Sequence, residues 1–223
     1  GTSFSLSAQI TPPYSLFDGK DYANMPKEVV VQNGRTYEYE TTAKHRWIEY
    51  HKWKFQSKTF MSLVPSVQKT PVLMARADFG LVGYFNKNKK TPFETFYVGG
   101  SGMSGYSSTY ATETIALRGY DDGSLGSQMS AYSRLVLEMR YPLILEPTST
   151  IYLLSFVEAG NAWYNVSDFN PFELKRSAGV GARIMLPMIG LMGIDWAYGF
   201  DALPSSGRNS SGGQFHFIIG QEF

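Results

Sequence analysis

The sequence predicts an all-β fold, an antiparallel transmembrane β-barrel, and three observations carry that expectation. Apolar and polar residues alternate with a period of two through eight segments. Long polar connections alternate with shorter ones containing proline, as in membrane barrels with long outer loops and short inner turns. No run of eighteen apolar residues exists, so no transmembrane helix is encoded. A barrel strand needs only about ten residues of alternating character.

Taken in order, the first segment sets Phe4, Leu6, Ala8 and Ile10 against Ser3, Ser5, Ser7 and Gln9 and stops at Thr11-Pro12-Pro13. A long polar connection to about Ala43 follows. The second segment, about Lys44 to Gln56, is rich in aromatics and less regular, which suggests a bulge. The third, Val72 to Phe85, sends Leu73, Ala75, Ala77, Phe79 and Leu81 one way and Arg76 and Asp78 the other. A loop of roughly forty residues, Asn86 to about Gly126, comes next; loops of that length are functional or disordered. The fourth segment, about Gln128 to Tyr141, opposes Leu135, Leu137, Met139 and Tyr141 to Arg134, Glu138 and Arg140. The fifth spans about Thr150 to Trp163. The sixth (Leu174 to Leu186) alternates Ala178, Val180, Ala182 and Ile184 with Ser177, Gly179, Gly181 and Arg183. The seventh (Leu191 to Phe200) alternates Met192, Ile194, Trp196 and Tyr198 with Gly193, Asp195 and Ala197. The eighth, Gln214 to Phe223, presents Phe215, Phe217, Ile219 and Phe223 on one face. A soluble sandwich would also alternate. Two features favour the membrane: apolar faces almost free of charge, and aromatics near strand ends (Tyr141, Trp163, Tyr198, Phe200, Phe223), where interface girdles belong.

Composition narrows the function. The 223 residues carry a formal charge of +1, which argues against a nucleic-acid partner because phosphate binding needs a concentrated basic face. Cysteine is absent, as an oxidising compartment permits. The histidines are His45, His51 and His216. His45 and His51, six apart on the second segment, share a face but are too distant for one metal, and His216 reads as a polar residue facing the lumen. No Gly-x-Ser-x-Gly elbow or His-Glu-x-x-His is present. Gly99-Gly-Ser-Gly-Met-Ser-Gly105 lacks the Gly-Lys-Ser/Thr of a phosphate cradle and reads as a flexible loop. No catalysis, cofactor or metal is expected. The chain opens Gly-Thr-Ser without a leader, so it is expected to be a piece of a longer protein.

One charged constellation stands out. Leu117-Arg118-Gly119-Tyr120, followed by Asp121-Asp122-Gly123, suggests a tight turn that aims one cation from inside the long loop. Glu138 and Glu158 each sit out of register with an apolar face, and Asp195 is a third acid on the inner side. If the loop folds into the barrel, the planar guanidinium can bridge two carboxylates, as a lysine cannot. The alternative is a solvated arginine and ordinary lumen carboxylates, whose surface pairs are worth roughly 0–1 kcal/mol. Spacing alone leaves both open.

At these residues the chain resembles the BamA-type outer-membrane assembly factors. Leu117-Arg-Gly-Tyr120 is similar to the Val/Leu-Arg-Gly-Phe/Tyr signature of their sixth extracellular loop, and Pro92-Phe-Glu-Thr-Phe-Tyr-Val-Gly-Gly100 to the run leading into it. Ser177-Ala-Gly-Val180 and the closing Gln214-Phe-His-Phe-Ile-Ile-Gly-Gln-Glu-Phe223 also fit, so the likeness covers nearly the whole chain. It implies the C-terminal eight strands of a sixteen-stranded barrel in the bacterial outer membrane, without the first half or the periplasmic transport-associated domains. It also implies contacts from Arg118 to acids at the Glu138 and Glu158 positions; Asp195, the third inner acid, is a further candidate partner. The implied work is folding and inserting unfolded outer-membrane proteins into the lipid bilayer, with accessory lipoproteins engaged through the missing domains. Gly220 interrupts the last segment, as glycine weakens strands. The resemblance implies that this segment pairs poorly with the barrel's first strand and leaves a lateral seam. Phe215, Phe217, Ile219 and Phe223 form an aromatic-ended assembly signal, in which Gln221 departs from the usual apolar residue. Eight strands alone enclose little room beyond their own side chains, so the alternatives are an open sheet or a homodimer completing a larger barrel. A secretion pore of the same superfamily and a plain diffusion porin are the competing functions.

Overall fold

The computed structural model describes residues 1–32, 35–65, 69–103, 113–146, 148–187, 190–203 and 212–220. Thirteen strands run β1 (Thr2–Ile10), β2 (Lys27–Gln32), β3 (Arg35–Glu40), β4 (His51–Ser62), β5 (Val72–Gly83), β6 (Phe96–Val98), β7 (Glu113–Ile115), β8 (Gly126–Met129), β9 (Ala131–Glu146), β10 (Ser149–Trp163), β11 (Lys175–Leu186), β12 (Gly190–Gly199) and β13 (Gly213–Ile219). Eight of them form one antiparallel sheet in the order β1-β4-β5-β9-β10-β11-β12-β13. The predicted eight segments are therefore the eight staves of this sheet. It is open: β1 and β13 are its two edges. Among the described residues no helix is long and apolar enough to cross a membrane.

The period-two pattern sorts each stave into two faces. Leu135, Leu137 and Met139 of β9, Leu153 and Val157 of β10, Ile194 and Trp196 of β12, and Phe215, Phe217 and Ile219 of β13 all lie exposed on the outer side. Between them Val136, Glu138, Leu154, Glu158, Asp195, Ala197, His216 and Ile218 point inward and are buried. They are covered by the long loop, which folds back against the concave face. Inside that loop β6 pairs with β7 in parallel and with β8 antiparallel, a three-stranded sheet that the sequence pattern did not announce. Phe96, with no exposure, meets Tyr132 edge-on at 4.6 Å and joins Val82 and Val98 in a core cluster. The ammonium of Lys52 lies 4.9 Å from the same ring.

The second stave begins at His51, not near Lys44, and continues to Ser62. Thr42–His45 is a 3₁₀ turn, so His45 and His51 do not share a strand face. Buried Glu49 explains the shift, because its carboxylate accepts hydrogen bonds from the Ser15 amide (2.8 Å) and hydroxyl (2.5 Å) and so ties that stretch to the preceding connection. The polar connection after β1 contains a hairpin, β2–β3. The fourth stave runs on through Pro142 to Glu146; Tyr152 pairs with Pro142 and Ile151 with Ile144, so Leu143 is the extra, bulged residue beside the proline, which has no N–H to give the ladder. Residues Gly99–Gly102 form a packed turn and not a flexible loop: Gly100 bridges Leu117, and the Ser101 amide donates to Asp122 at 2.9 Å. Trp163 is buried at its strand end, because Phe169 covers it.

Because Phe96 anchors the inserted segment to the wall, Phe96→Ala should destabilise the protein by about 3–5 kcal/mol. Denaturant unfolding in detergent micelles checks this; a change under about 1 kcal/mol would mean that the segment is held elsewhere.

Candidate functional site

The inserted loop delivers one guanidinium into the concave face. Arg118 and Leu117 are buried to 1% exposure or less, and Tyr120 likewise. The turn that carries them depends on Gly119, whose φ of +89° favours glycine, and whose Cβ would stand 2.8 Å from the Gly199 amide nitrogen. The chain therefore passes directly over β12 and β11. Beneath it the inward positions of β11 are Ser177, Gly179 and Gly181. A Cβ on Gly179 would stand 2.5 Å from the Phe156 ring, and one on Gly181 would overlap the Asp195 carboxylate. These small residues hollow out the pit into which the arginine descends.

Three acids from three staves receive it. Arg118 Nε donates to Glu158 Oε1 at 2.7 Å and its backbone N–H to Glu158 Oε2 at 3.0 Å. Nη1 donates to Asp195 Oδ2 at 2.8 Å and Nη2 to Glu138 Oε2 at 3.1 Å. The guanidinium carbon lies 3.4 Å from the centroid of the Phe156 ring, a stacking that suits a planar cation. Burial alone would push the Arg118 pKa down; Glu158, Glu138 and Asp195 outweigh it and hold the pKa above its ordinary value. The side chain is a fixed cation.

The wall also carries its own cations. Arg140 Nε donates to Glu138 at 2.6 Å, Arg134 Nη2 to Glu158 at 2.9 Å, and Arg183 to both oxygens of Asp195 at 2.5 and 2.7 Å. Each acid is thus oriented by a neighbouring arginine of the wall before the loop adds a second. Asp195 is a full member, bound by the shared Arg118 and by Arg183 of its own. These partners were missed in the sequence, although Arg134, Arg140 and Arg183 lie on the same inward face as the acids.

His216 was also missed as a contact. It accepts the Gly119 N–H on Nε2 at 2.9 Å, so the motif turn is hydrogen-bonded to β13, the edge strand. Its Nδ1 carries the ring proton in the neutral form. Tyr120 closes the other side: its hydroxyl donates to the Arg176 carbonyl at 2.7 Å, and burial pushes the phenol up to about 12. Phe215, Phe217 and Ile219 face outward on β13. The strand ends at Ile219, and Gly220 turns away with φ of +74° while its N–H still reaches the Leu191 carbonyl at 2.7 Å. Phe223 lies outside the described residues. Among the described residues no cluster of His, Cys, Asp and Glu is arranged to hold a metal ion.

Residues 3–223 match the family described as the Omp85 superfamily domain. The chain belongs to the Omp85 superfamily. Among curated proteins nothing matches it. Omp85 proteins are outer-membrane β-barrel proteins, in general insertion or transport factors without enzymatic turnover. The all-β antiparallel sheet of this Omp85 chain, with its outer apolar face, agrees with that class.

Removing one partner of a buried ion cluster is costly because the remaining charge stays desolvated. Glu158 answers to two arginines and a backbone amide, so Glu158→Ala should loosen the loop more than Glu138→Ala does. Limited proteolysis within the loop and thermal unfolding check the ranking; equal effects would contradict it. His216→Leu strands the Gly119 amide and should cost about 1–3 kcal/mol, whereas His216→Gln, which keeps an acceptor, should recover most of that in the same unfolding assay.

Proposed function

We propose that this chain is the C-terminal half of a sixteen-stranded outer-membrane barrel that folds and inserts other β-barrel proteins. One observation carries the reading: the loop guanidinium, fully buried, ties staves β9, β10 and β12 together through Glu138, Glu158 and Asp195. A loop locked inside the wall supports a fixed working shape and disfavours a plain diffusion pore, whose lumen must stay open.

The edge strand supports the place of action. β13 has seven residues, the shortest of the eight staves among the described residues, and gives way to a turn at Gly220. On this reading its outer side offers N–H and C=O groups, which in lipid cost several kcal/mol each when unsatisfied. An incoming strand can satisfy them by pairing before it meets lipid. In this reading Phe215, Phe217, Ile219 and Gly220 form one side of a lateral seam. Unfolded outer-membrane proteins are the clients, the bilayer is the destination, and accessory lipoproteins act through periplasmic domains outside this chain. A second copy completing the barrel is the alternative to a preceding half supplied by the same polypeptide.

The test is proteoliposome insertion of an unfolded barrel client by the full-length protein. Wild type should accelerate client folding, and Arg118→Ala should lower the rate at least tenfold. Unaltered insertion by Arg118→Ala would refute the role of the cluster. Passage of a secreted passenger without insertion of the barrel client would instead assign the chain to the secretion pores of its superfamily.

A further inference from the structure

The connection between β10 and β11 does not stand up from the sheet. It leaves Trp163, crosses the outer side of β9, and its 3₁₀ turn Val166–Asp168 reaches β5, two staves away. Phe169 covers Trp163 edge-on at 4.8 Å between ring centroids, which is why Trp163 and its cross-strand partner Ala131 are buried although they point outward. The crossing leaves an apolar cavity of about 320 Å³, with Leu6, Trp53, Phe55 and Phe79 on one side and Val166 and Phe169 on the other. Beyond the turn Phe172 projects with 93% of its surface exposed, and Tyr164 is more than half exposed.

We propose that this segment, residues 164–172, is an interfacial lipid anchor and that a membrane acyl chain fills the cavity beneath it. The inference rests on the membrane reading of the wall given above. The cavity's wall residues Leu6, Trp53 and Phe55 belong to the same outward face as Leu135, Leu137 and Val157, so the medium that covers that face also borders the cavity. A loop meant for water would not spend its aromatics on that side. Phe169 packs on the wall's apolar side and Phe172 projects beside it, while the polar groups of the turn are satisfied internally: Asn165 Nδ2 and the Ser167 hydroxyl both donate to Asp168 at 2.9 and 3.1 Å, and the Phe172 amide donates to Asn170. Aromatic side chains at the boundary between headgroups and acyl chains are the usual anchors of membrane barrels. The Lys90 ammonium lies 3.5 Å from the Tyr164 ring centroid and donates to the Tyr164 carbonyl, which fixes the root of the segment at the polar rim.

The chain contains no cysteine, so a cysteine introduced within it carries a single nitroxide label once any cysteine outside the chain is replaced. We would reconstitute the full-length protein in phosphatidylcholine vesicles with labels at Phe172, at Leu137 on the wall, and at Glu38 on the exposed hairpin. Power saturation with oxygen and with a water-soluble nickel chelate then compares the sites. The expected result is that Phe172 behaves as Leu137 does, relaxed more by oxygen than by nickel, while Glu38 shows the reverse. Phe172 following Glu38 while Leu137 keeps the lipid pattern would overturn the anchor alone. Leu137 in the aqueous pattern would overturn the membrane reading and the anchor with it. For the cavity, vesicles with brominated acyl chains should quench Trp53, and Phe169→Trp in a protein whose other tryptophans are replaced by Phe should be quenched to a similar extent. Absence of quenching at both positions would overturn acyl-chain occupancy.

Discussion

A guanidinium with no contact to water is the constraint on which this molecule turns. A charge buried in a low-dielectric interior is tolerable only if its partners are already in place and well oriented. The wall meets that condition in advance. Glu138, Glu158 and Asp195 are each held by their own arginine, so Arg118 enters a set of aligned carboxylates instead of assembling one. Much of the surrounding sequence follows from this demand. The loop must reach inward across roughly forty residues, Gly119 must turn over Gly199 with no side chain in the way, and β11 must stay small on its inner side so that the pit exists.

The same cluster couples parts of the fold that are distant in the chain. Glu138, Glu158 and Asp195 come from three staves, and Gly119 adds a fourth through His216 on β13. The loop is therefore a cross-brace for one half of the sheet, from β9 to the edge. The other half is braced differently: Lys52 and Lys54 of β4 pair with Glu113 of the loop's small sheet, and Lys52 with Glu94. Where the brace is dense the wall is fixed; at β13, with seven residues and a glycine release, it is least committed.

The staves were legible because burial on one face and lipid-like exposure on the other imposes a period of two that side-chain chemistry cannot hide. The acids were legible for the complementary reason: a carboxylate at Glu138 or Glu158 in an apolar stave has no place except on the inner face. Other features answer to tertiary contacts that leave no periodic trace. Nothing local announces that Glu49 will be capped by Ser15 and so delay β4 until His51, or that Phe96–Val98 will find a parallel partner in Glu113–Ile115. Pro142 suggested a stop, but a bulge beside it at Leu143 lets the strand continue. The wall arginines could have been paired with the acids by counting inward positions. His216 could not, since its acceptor role depends on where the loop turn comes to rest.

The central claim is that Arg118 and Glu158 act as one unit in shaping the wall. A double-mutant cycle of Arg118→Ala and Glu158→Ala tests it most directly, read through the insertion rate of a barrel client in proteoliposomes and through unfolding of the same variants. The account predicts strong non-additivity, with a coupling energy of about 1–3 kcal/mol in both measurements. Additive effects within about 0.5 kcal/mol would show that the two residues act independently, and would contradict it.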